Sequence, residues 1–525
     1  MIVDSSRIAA SGIDDRDICV IGAGPAGITL ALELASTGRR IALLEAGGLA
    51  YNPASQHLLE GESVGDRFPP LRDTRLGALG GSSGVWAGYC RPLEASDFET
   101  RDGATGWPFG RVALDPYYRR AHEVCGLGPF EYDIDHWASR FRESLLLAGD
   151  PVRNLVFHVN ALNFGDRYRP QLEASRNIEL VLRAPVTRLH MNAAGDRVER
   201  VTVRTLHGRG FEIRAQCFVL AVGGIENARL LLLSGDSPEQ VPGNASGLVG
   251  RYFTDHPFMD PGYLVLAGGA RRLDHYFPQP AVAGRGPACV RGALSLDPGV
   301  LSRDRLGNGA IFFYPRYEAH AAFATAGVKE FLEAIAKLSG KAVPGHAGRQ
   351  LARALRAPRQ VAVAVLRKLT VANGPARLWR LRAMFESESQ FDNRVTLGEQ
   401  RDSLGRPRAR VEWRLSERDL QSMRRFMQCL DESFQRASLG HIELGFDDDP
   451  SAWRAAAVGG KHHMGTTRMH RDAAQGVVDP DALVHGTSNL FIAGSSVFPG
   501  GGFVNPTLTI VALAIRLADH LRQLR

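Results

Sequence analysis

The first strong pattern along the chain is an apolar run over residues 17–22 (DICVIG) that enters a glycine-rich turn, GAGPAG, at residues 22–27. A short run that is apolar on both faces reads as a strand buried inside a sheet. Residues 28–37 carry helical spacing, Gly38 stops them, and residues 40–45 (RIALLE) read as a second strand. Strand, turn, helix and strand within about 30 residues make a βαβ unit, which implies a parallel sheet. A second Gly-rich loop follows at residues 76–88 (LGALGGSSGVWAG). Short β runs over residues 177–220 predict a meander that returns to a parallel strand, with a helix starting near Ile225. The region 255–471 is mixed, with strands expected at 394–397 and 408–413. Residues 489–525 read again as strand (NLFIAG), glycine loop and long amphipathic helix.

Nucleotide-type elements thus stand at the start, middle and end of the chain, and no repeat of about 20–50 residues is present. The predicted fold class is α/β: a Rossmann-like domain built from three separated segments, with an inserted α+β domain of antiparallel sheet plus helices. The expected partition is a polar lead at 1–16, a nucleotide-binding domain from 17–95, 176–255 and 475–525, and a second domain from 96–175 and 256–474.

Composition narrows the class without changing it. The 525 residues suit two to four domains, and 44% hydrophobic with 23% charged residues is ordinary globular usage. No apolar stretch approaches the ~18 residues of a membrane span, and the polar N-terminus lacks a signal-peptide core. A soluble, cytoplasmic protein is expected. The six cysteines are scattered with no CxxC pair, which argues against a disulfide framework or a thiolate zinc site. The net charge is +7, yet residues 334–385 contain eleven basic side chains and no acidic one. With Trp379 as the one tryptophan or tyrosine among them, these residues lack the stacking aromatics of a nucleic-acid reader. A basic helical cap over the second domain is expected at 337–382. Nucleic acid is not expected as a partner, and peripheral membrane or partner docking stays open.

The turn itself carries chemistry. Gly22 permits its tightness, Gly24 lets backbone approach a pyrophosphate, and Gly27 lets helix and sheet pack closely. The helix N-terminus offers unpaired N–H groups and a positive dipole end to that anion. Glu45 lies 18 residues past Gly27, placed to accept from a ribose diol and to repel a 2′-phosphate. NADP is therefore disfavoured, while the motif alone does not separate FAD from NAD.

The wider set of motifs resembles the glucose–methanol–choline (GMC) family of flavin oxidoreductases. It comprises GAGPAG…LLEAGG, LGGSSGVWAGYCRPL, AVGGIENARLLL, HHMGTTRM and AGSSVFPGGGFVNPTLTIVALA, in that order over nearly the full length. The resemblance implies FAD, a flavin-binding part, a substrate-binding sheet part, and oxidation of an alcohol. It assigns Gly22, Ala23, Gly24, Pro25, Ala26 and Gly27 with Glu45 to the pyrophosphate and adenosine ribose. Gly81, Ser82 and Ser83 fall along the pyrophosphate and ribityl chain, Val186 meets the adenine, and Ala46, Trp86 and Ala221 count among the cofactor-binding residues. Gly494, Ser495, Asn505, Pro506 and Thr507 fall on the ribityl chain and isoalloxazine ring. There are departures. An asparagine that many members carry after the serine loop is absent from 85–88 (VWAG), and the position of the histidine that attaches flavin covalently is Val85.

Removing a hydride from an alcohol carbon requires a base for the hydroxyl proton and a group to hold the oxygen. By resemblance these are His462 and Asn505, with His463 left open as the alternative base. A zinc site at His462, His463 and His470 is disfavoured, since no cysteine lies nearby. His256 echoes a family segment and is read as structural, while Arg468 and Thr467 are left unassigned.

The expected function is oxidation of an alcohol group on a polar substrate, a sugar or glycoside-type natural product, with electrons passed to dioxygen, a quinone or another acceptor. An apolar alcohol, a lyase that keeps flavin only as structure, and a non-enzymatic protein using the basic stretch are the rivals. No metal is expected. Because Val85 offers no nucleophile, FAD is expected to be non-covalent. Acid precipitation of the holoprotein should then give a colourless pellet and release all flavin to the supernatant; a yellow pellet would overturn this.

Overall fold

The computed structural model describes residues 1–100, 106–138, 151–269, 271, 273–282, 285–316 and 376–524. Eight strands form the first sheet: β1 (Ile2–Asp4), β2 (Ile13–Ile21), β3 (Ile41–Leu44), β7 (Ile178–Leu182), β8 (Val186–Met191), β9 (Val198–Arg204), β10 (Gly210–Leu220) and β20 (Leu490–Ile492). Their order is β1-β7-β3-β2-β10-β9-β8, with β20 beside β10. The core of this sheet is parallel, and only the β8–β9–β10 meander is antiparallel. Ile18 to Ile21 and Ile41 to Leu44 are buried throughout, as a sheet covered on both faces requires.

Register decides where the site lies. Ile21 is level with Leu44 and with Leu220, and Leu220 is level with Ile492. Gly22, Glu45, Ala221 and Ala493 therefore leave one sheet edge together, at the carboxyl ends of parallel strands, where ligands bind in such sheets.

The second sheet has nine antiparallel strands in the order β18-β11-β15-β14-β13-β6-β5, with β12 beside β13 and β19 beside β11. They are β5 (Tyr89–Cys90), β6 (Val152–Val159), β11 (Pro257–Leu266), β12 (Gln279–Val282), β13 (Arg285–Leu296), β14 (Gly309–Arg316), β15 (Leu378–Phe385), β18 (Gly440–Leu444) and β19 (Val458–Gly459). A third, small sheet joins β4 (Gly61–Gly65), β16 (Arg394–Arg401) and β17 (Pro407–Trp413). Arg229, 1% exposed, fastens it to the first sheet by donating to the Pro407 and Leu58 carbonyls and to Asp402 and Glu226.

Three expectations need correction. The stretch 1–16 is not a polar lead: Ile2–Asp4 extends the parallel sheet against Leu180 to Leu182, and β2 already begins at Ile13. Its few apolar residues, among them Ile8 and Ile13, are spaced too widely among polar ones to signal a strand, yet both are buried. The end of the basic stretch is not helical. Over β15, Trp379 and Leu381 are buried while Arg380 and Arg382 are exposed, a period of two that only a strand provides. The remainder of the expected cap lies outside the described residues. Tyr89–Cys90, expected in the nucleotide domain, pairs instead with β6 in the second sheet.

The helices Pro25–Leu34 and Thr507–Gln523 pack on one another beside the first sheet. Gly38 closes the first with a left-handed φ of 72°. Close packing at the glycine turn is strict: a Cβ on Gly27 would stand 1.9 Å from the Gly22 carbonyl oxygen. Substituting Gly27→Ala should therefore lower the unfolding free energy by at least about 1–3 kcal/mol, read as a drop in the urea midpoint at constant slope.

Candidate active site

A cavity of about 810 Å³ runs from the carboxyl edge of the first sheet to the face of the second. That volume suits a ligand of cofactor size with room for a second molecule. At one end lie Gly22, Gly24, Pro25 and Ala26, where the helix Pro25–Leu34 starts with Gly24 as N-cap and no side-chain cap. Its first N–H groups are thus left for an anion. Gly24 and Gly81 approach so closely that a Cβ on Gly81 would lie 3.0 Å from the Gly24 Cα. Glu45 is buried, accepting from the Ala23 and Gly47 N–H groups at 3.1 and 2.8 Å. Burial raises its pKa, against which those backbone donors work. Each carboxylate oxygen keeps a lone pair for a diol, so these residues fit the dinucleotide that the sequence anticipates.

Of the anticipated cofactor residues, Ala46, Ser82, Ser83, Trp86, Val186, Ala221, Gly494, Ser495, Pro506 and Thr507 also line this cavity, with Gly81 and Asn505. Ala23 and Gly27 do not. Ala23 supplies its N–H to Glu45, and Gly27 is spent on packing. Trp86 lines the wall while its Nε1 donates to the Leu162 carbonyl.

Midway along, His462 and Asn505 meet: Asn505 Nδ2 is 3.1 Å from His462 Nε2. Their approach is built by backbone. Thr254 and Met464 exchange hydrogen bonds at 3.1 and 3.0 Å, laying the 254–256 run beside the 461–464 run. Asp255, wholly buried, then accepts the His462 N–H at 2.7 Å and the Lys461 N–H at 3.0 Å. That grip holds Lys461 at a left-handed φ of 71°, a conformation a lysine adopts only when its surroundings impose it. Gly224 makes room, since a Cβ there would meet the His463 carbonyl oxygen at 2.2 Å.

The sequence reading missed the part played by His256. Its Nδ1 lies 2.9 Å from His462 Nδ1, so one ring must donate to the other. With the Asn505 amide placed to donate to His462 Nε2, the protons follow: His462 Nδ1–H donates to His256 Nδ1, and the His256 Nε2–H, which makes no hydrogen bond among the described residues, is turned toward Gly501. His462 Nε2 is then unprotonated, its lone pair held by the Asn505 N–H until another donor takes that place. His463 differs: its ring stacks on Phe68 at 5.9 Å and its Nε2 is buried without a hydrogen-bond partner among the described residues. Thr467 and Arg468 turn away, to Ser496 Oγ and to the Tyr252 ring.

Tyr89, Phe258, Phe312, Tyr314 and Arg382 line the far end, on strands of the second sheet. Only the alternation of β15 could have flagged one of them, Arg382. No cluster of His, Cys, Asp or Glu among the described residues has the makings of a metal site. No helix among them is long and apolar enough to cross a membrane.

Burial drives the titration of the site. It pushes His462 well below its usual value, helped by His256 and His463, and takes His256 to about 4 and His463 to about 3. Burial acts the same way on His122, His158 and His275, at about 3, 4 and 4. Burial also raises Asp255 to about 7 and Asp419 to about 6.

The chain is similar in sequence to known proteins. Residues 389–514 match the profile of GMC oxidoreductases, and residues 16–241 match that of pyridine nucleotide-disulphide oxidoreductases. The chain is 25% identical to 2-methyl-1,2-propanediol dehydrogenase of Mycolicibacterium austroafricanum, over 97% of this chain and 95% of that protein. It is 26% identical to paromamine 6'-oxidase of Streptomyces fradiae, over 96% of this chain and 91% of that one. Its fold is shared with an Aspergillus oryzae formate oxidase variant at 19% identity and a TM-score of 0.58, covering 97% of this chain and 98% of that one.

A histidine with a depressed pKa in the folded state takes up its proton more readily when unfolded, so acidification favours unfolding. The loss begins near the unfolded value of about 6.5 and continues to the folded values. Three raised carboxylates, Glu45, Asp255 and Asp419, oppose it, because they bind protons in the folded state first. With seven such histidines among the described residues, His190 included, against three carboxylates, the urea midpoint should fall progressively as pH is lowered from about 6.5 to about 4. A midpoint that stays flat or climbs over this window would show that these rings are not held neutral.

Proposed function

Given that the chain belongs to the GMC family of flavin oxidoreductases and is an FAD-dependent enzyme of that family, we propose that it oxidises an alcohol group of a polar substrate, a sugar or glycoside-type natural product, with His462 as base. The observation that carries this reading is the 3.1 Å pairing of His462 Nε2 with Asn505 Nδ2 on the wall of the cavity that the glycine turn opens.

In this reading Gly22, Gly24 and the N–H groups of the following helix would hold the pyrophosphate, and Glu45 the ribose. Val186 would hold the adenine, and Gly81 to Ser83, Gly494, Ser495 and Thr507 the ribityl chain and ring. FAD, when bound, would supply a hydride acceptor. The protein's share is to hold the hydroxyl oxygen and take its proton. The Asn505 amide donates to that oxygen and fixes the carbon it belongs to. The His462 Nε2 lone pair receives the proton, and His256 keeps that nitrogen unprotonated beforehand by accepting from the opposite side of the ring. Burial keeps the His462 ring neutral, so its Nε2 is free of a proton at physiological pH. The N-terminus of the helix Thr507–Gln523 lies at the same wall and favours negative charge there. Electrons leave to dioxygen, a quinone or another acceptor.

Anaerobic mixing with a panel of alcohols and sugars tests the proposal. Flavin absorbance should bleach with some member, and His462→Ala should slow bleaching by about 10²–10⁴-fold. Unchanged bleaching in that variant removes His462 from the chemistry. An enzyme whose product forms with no loss of absorbance would be a lyase. Recovery of colour on readmitting air would mark an oxidase.

A further inference from the structure

The far end of the cavity carries a one-sided charge. Arg291 on β13 is 4% exposed and donates to the Tyr276 and Phe313 carbonyls, each at 2.8 Å, and to the hydroxyls of Tyr89 at 2.6 Å and Tyr314 at 3.0 Å. None of these acceptors is a carboxylate, so its charge is solvated but not neutralised. The two phenols are also hydrogen-bonded to each other, Tyr89 donating to Tyr314, so the O–H left to donate is that of Tyr314. On the neighbouring strands Arg382 is the register partner of Phe312, and Arg380 that of Tyr314. Arg380 pairs with Asp260 at 3.6 Å. Arg382 has no such partner among the described residues: exposed at the cavity wall, it lies over the Phe258 ring at 5.4 Å. Phe258 in turn meets the His462 ring at 5.7 Å, so Arg382 stands one aromatic ring away from the proposed base. The two carboxylates lining the cavity are elsewhere engaged, Glu45 with backbone at the glycine turn and Glu226 with Arg75 and Arg229.

We propose that this end is a subsite for an anionic oxyacid group, carboxylate or phosphate, carried by the substrate. Arg382 makes the charged contact, the Tyr314 hydroxyl donates beside it, and Arg291 and Tyr89 hold that hydroxyl from behind. A guanidinium pairs with either anion through two parallel N–H donors, and such charge-assisted bonds are shorter and stronger than neutral ones. The same charge works against amine-bearing substrates by repulsion. The substrate class is thereby an acidic polar alcohol, such as a uronic acid or a sugar phosphate. Calling the ligand a substrate rests on the alcohol-oxidising reading above; the anion site does not.

Two measurements keep the two claims apart. In the first, acetate and inorganic phosphate are titrated into oxidised holoenzyme and the perturbation of flavin absorbance is followed. Saturable binding by one or both is expected, weakening as ionic strength rises, and lost in Arg382→Gln. In the second, anaerobic flavin reduction is compared for methyl glucoside, glucuronate and glucose 6-phosphate. An acidic member should exceed the neutral one in kcat/KM by about ten- to a hundredfold, and its identity distinguishes carboxylate from phosphate. Arg382→Gln should erase that ratio mainly through KM, Arg382→Lys should keep part of it, and Tyr314→Phe should reduce it without abolishing it. Absence of anion binding to the wild type, or binding and preference unaltered in Arg382→Gln, overturns the subsite. Anion binding that depends on Arg382, with no alcohol of any kind reducing the flavin, leaves the subsite standing and overturns the oxidoreductase reading instead.

Discussion

A buried carboxylate fixes the centre of this molecule. Asp255 spends its oxygens on the N–H groups of Lys461 and His462, and so pins the loop that follows β19 against the residues that lead into β11. Without that grip nothing local would hold Lys461 at a positive φ, and the His462 ring would have no fixed height over the cavity. The side-chain contacts of His462 with Asn505 and His256 come after it, because they presuppose the backbone position that Asp255 imposes.

Two sheets then divide the labour. Parallel strands deliver glycines, an acid and helix N-termini to one edge, which is what a phosphate-bearing cofactor needs. The antiparallel sheet delivers side chains at a period of two, which suits a wall whose chemistry can be changed one residue at a time. Arg380 and Arg382 alternate with Trp379 and Leu381 for that reason: the same strand that closes the core with one face lends charge to the cavity with the other.

How much of this was legible in the sequence follows from how local each signal is. The glycine turn, Glu45 and the strand on either side sit within one βαβ unit, so spacing alone outlined them. His462 and Asn505 lie far apart in the chain, and only motif resemblance linked them. The bond from His256 to His462 was invisible, because it depends on the Thr254–Met464 bridge, a pairing of residues some two hundred positions apart. Residues 1–16 were misread because an edge strand of three residues is too short to establish an alternation. The end of the basic stretch was misread because attention to charge hid the buried Trp379 and Leu381 between the arginines.

The three-segment construction of the nucleotide-binding part has a consequence for folding. β20 pairs with β10 from roughly 270 residues further along the chain, and the helix Thr507–Gln523, whose first residues line the cavity, follows it. The parallel sheet cannot be completed before that distant segment has come back to it, so closing the crevice waits on a contact of high sequence separation, the slow kind.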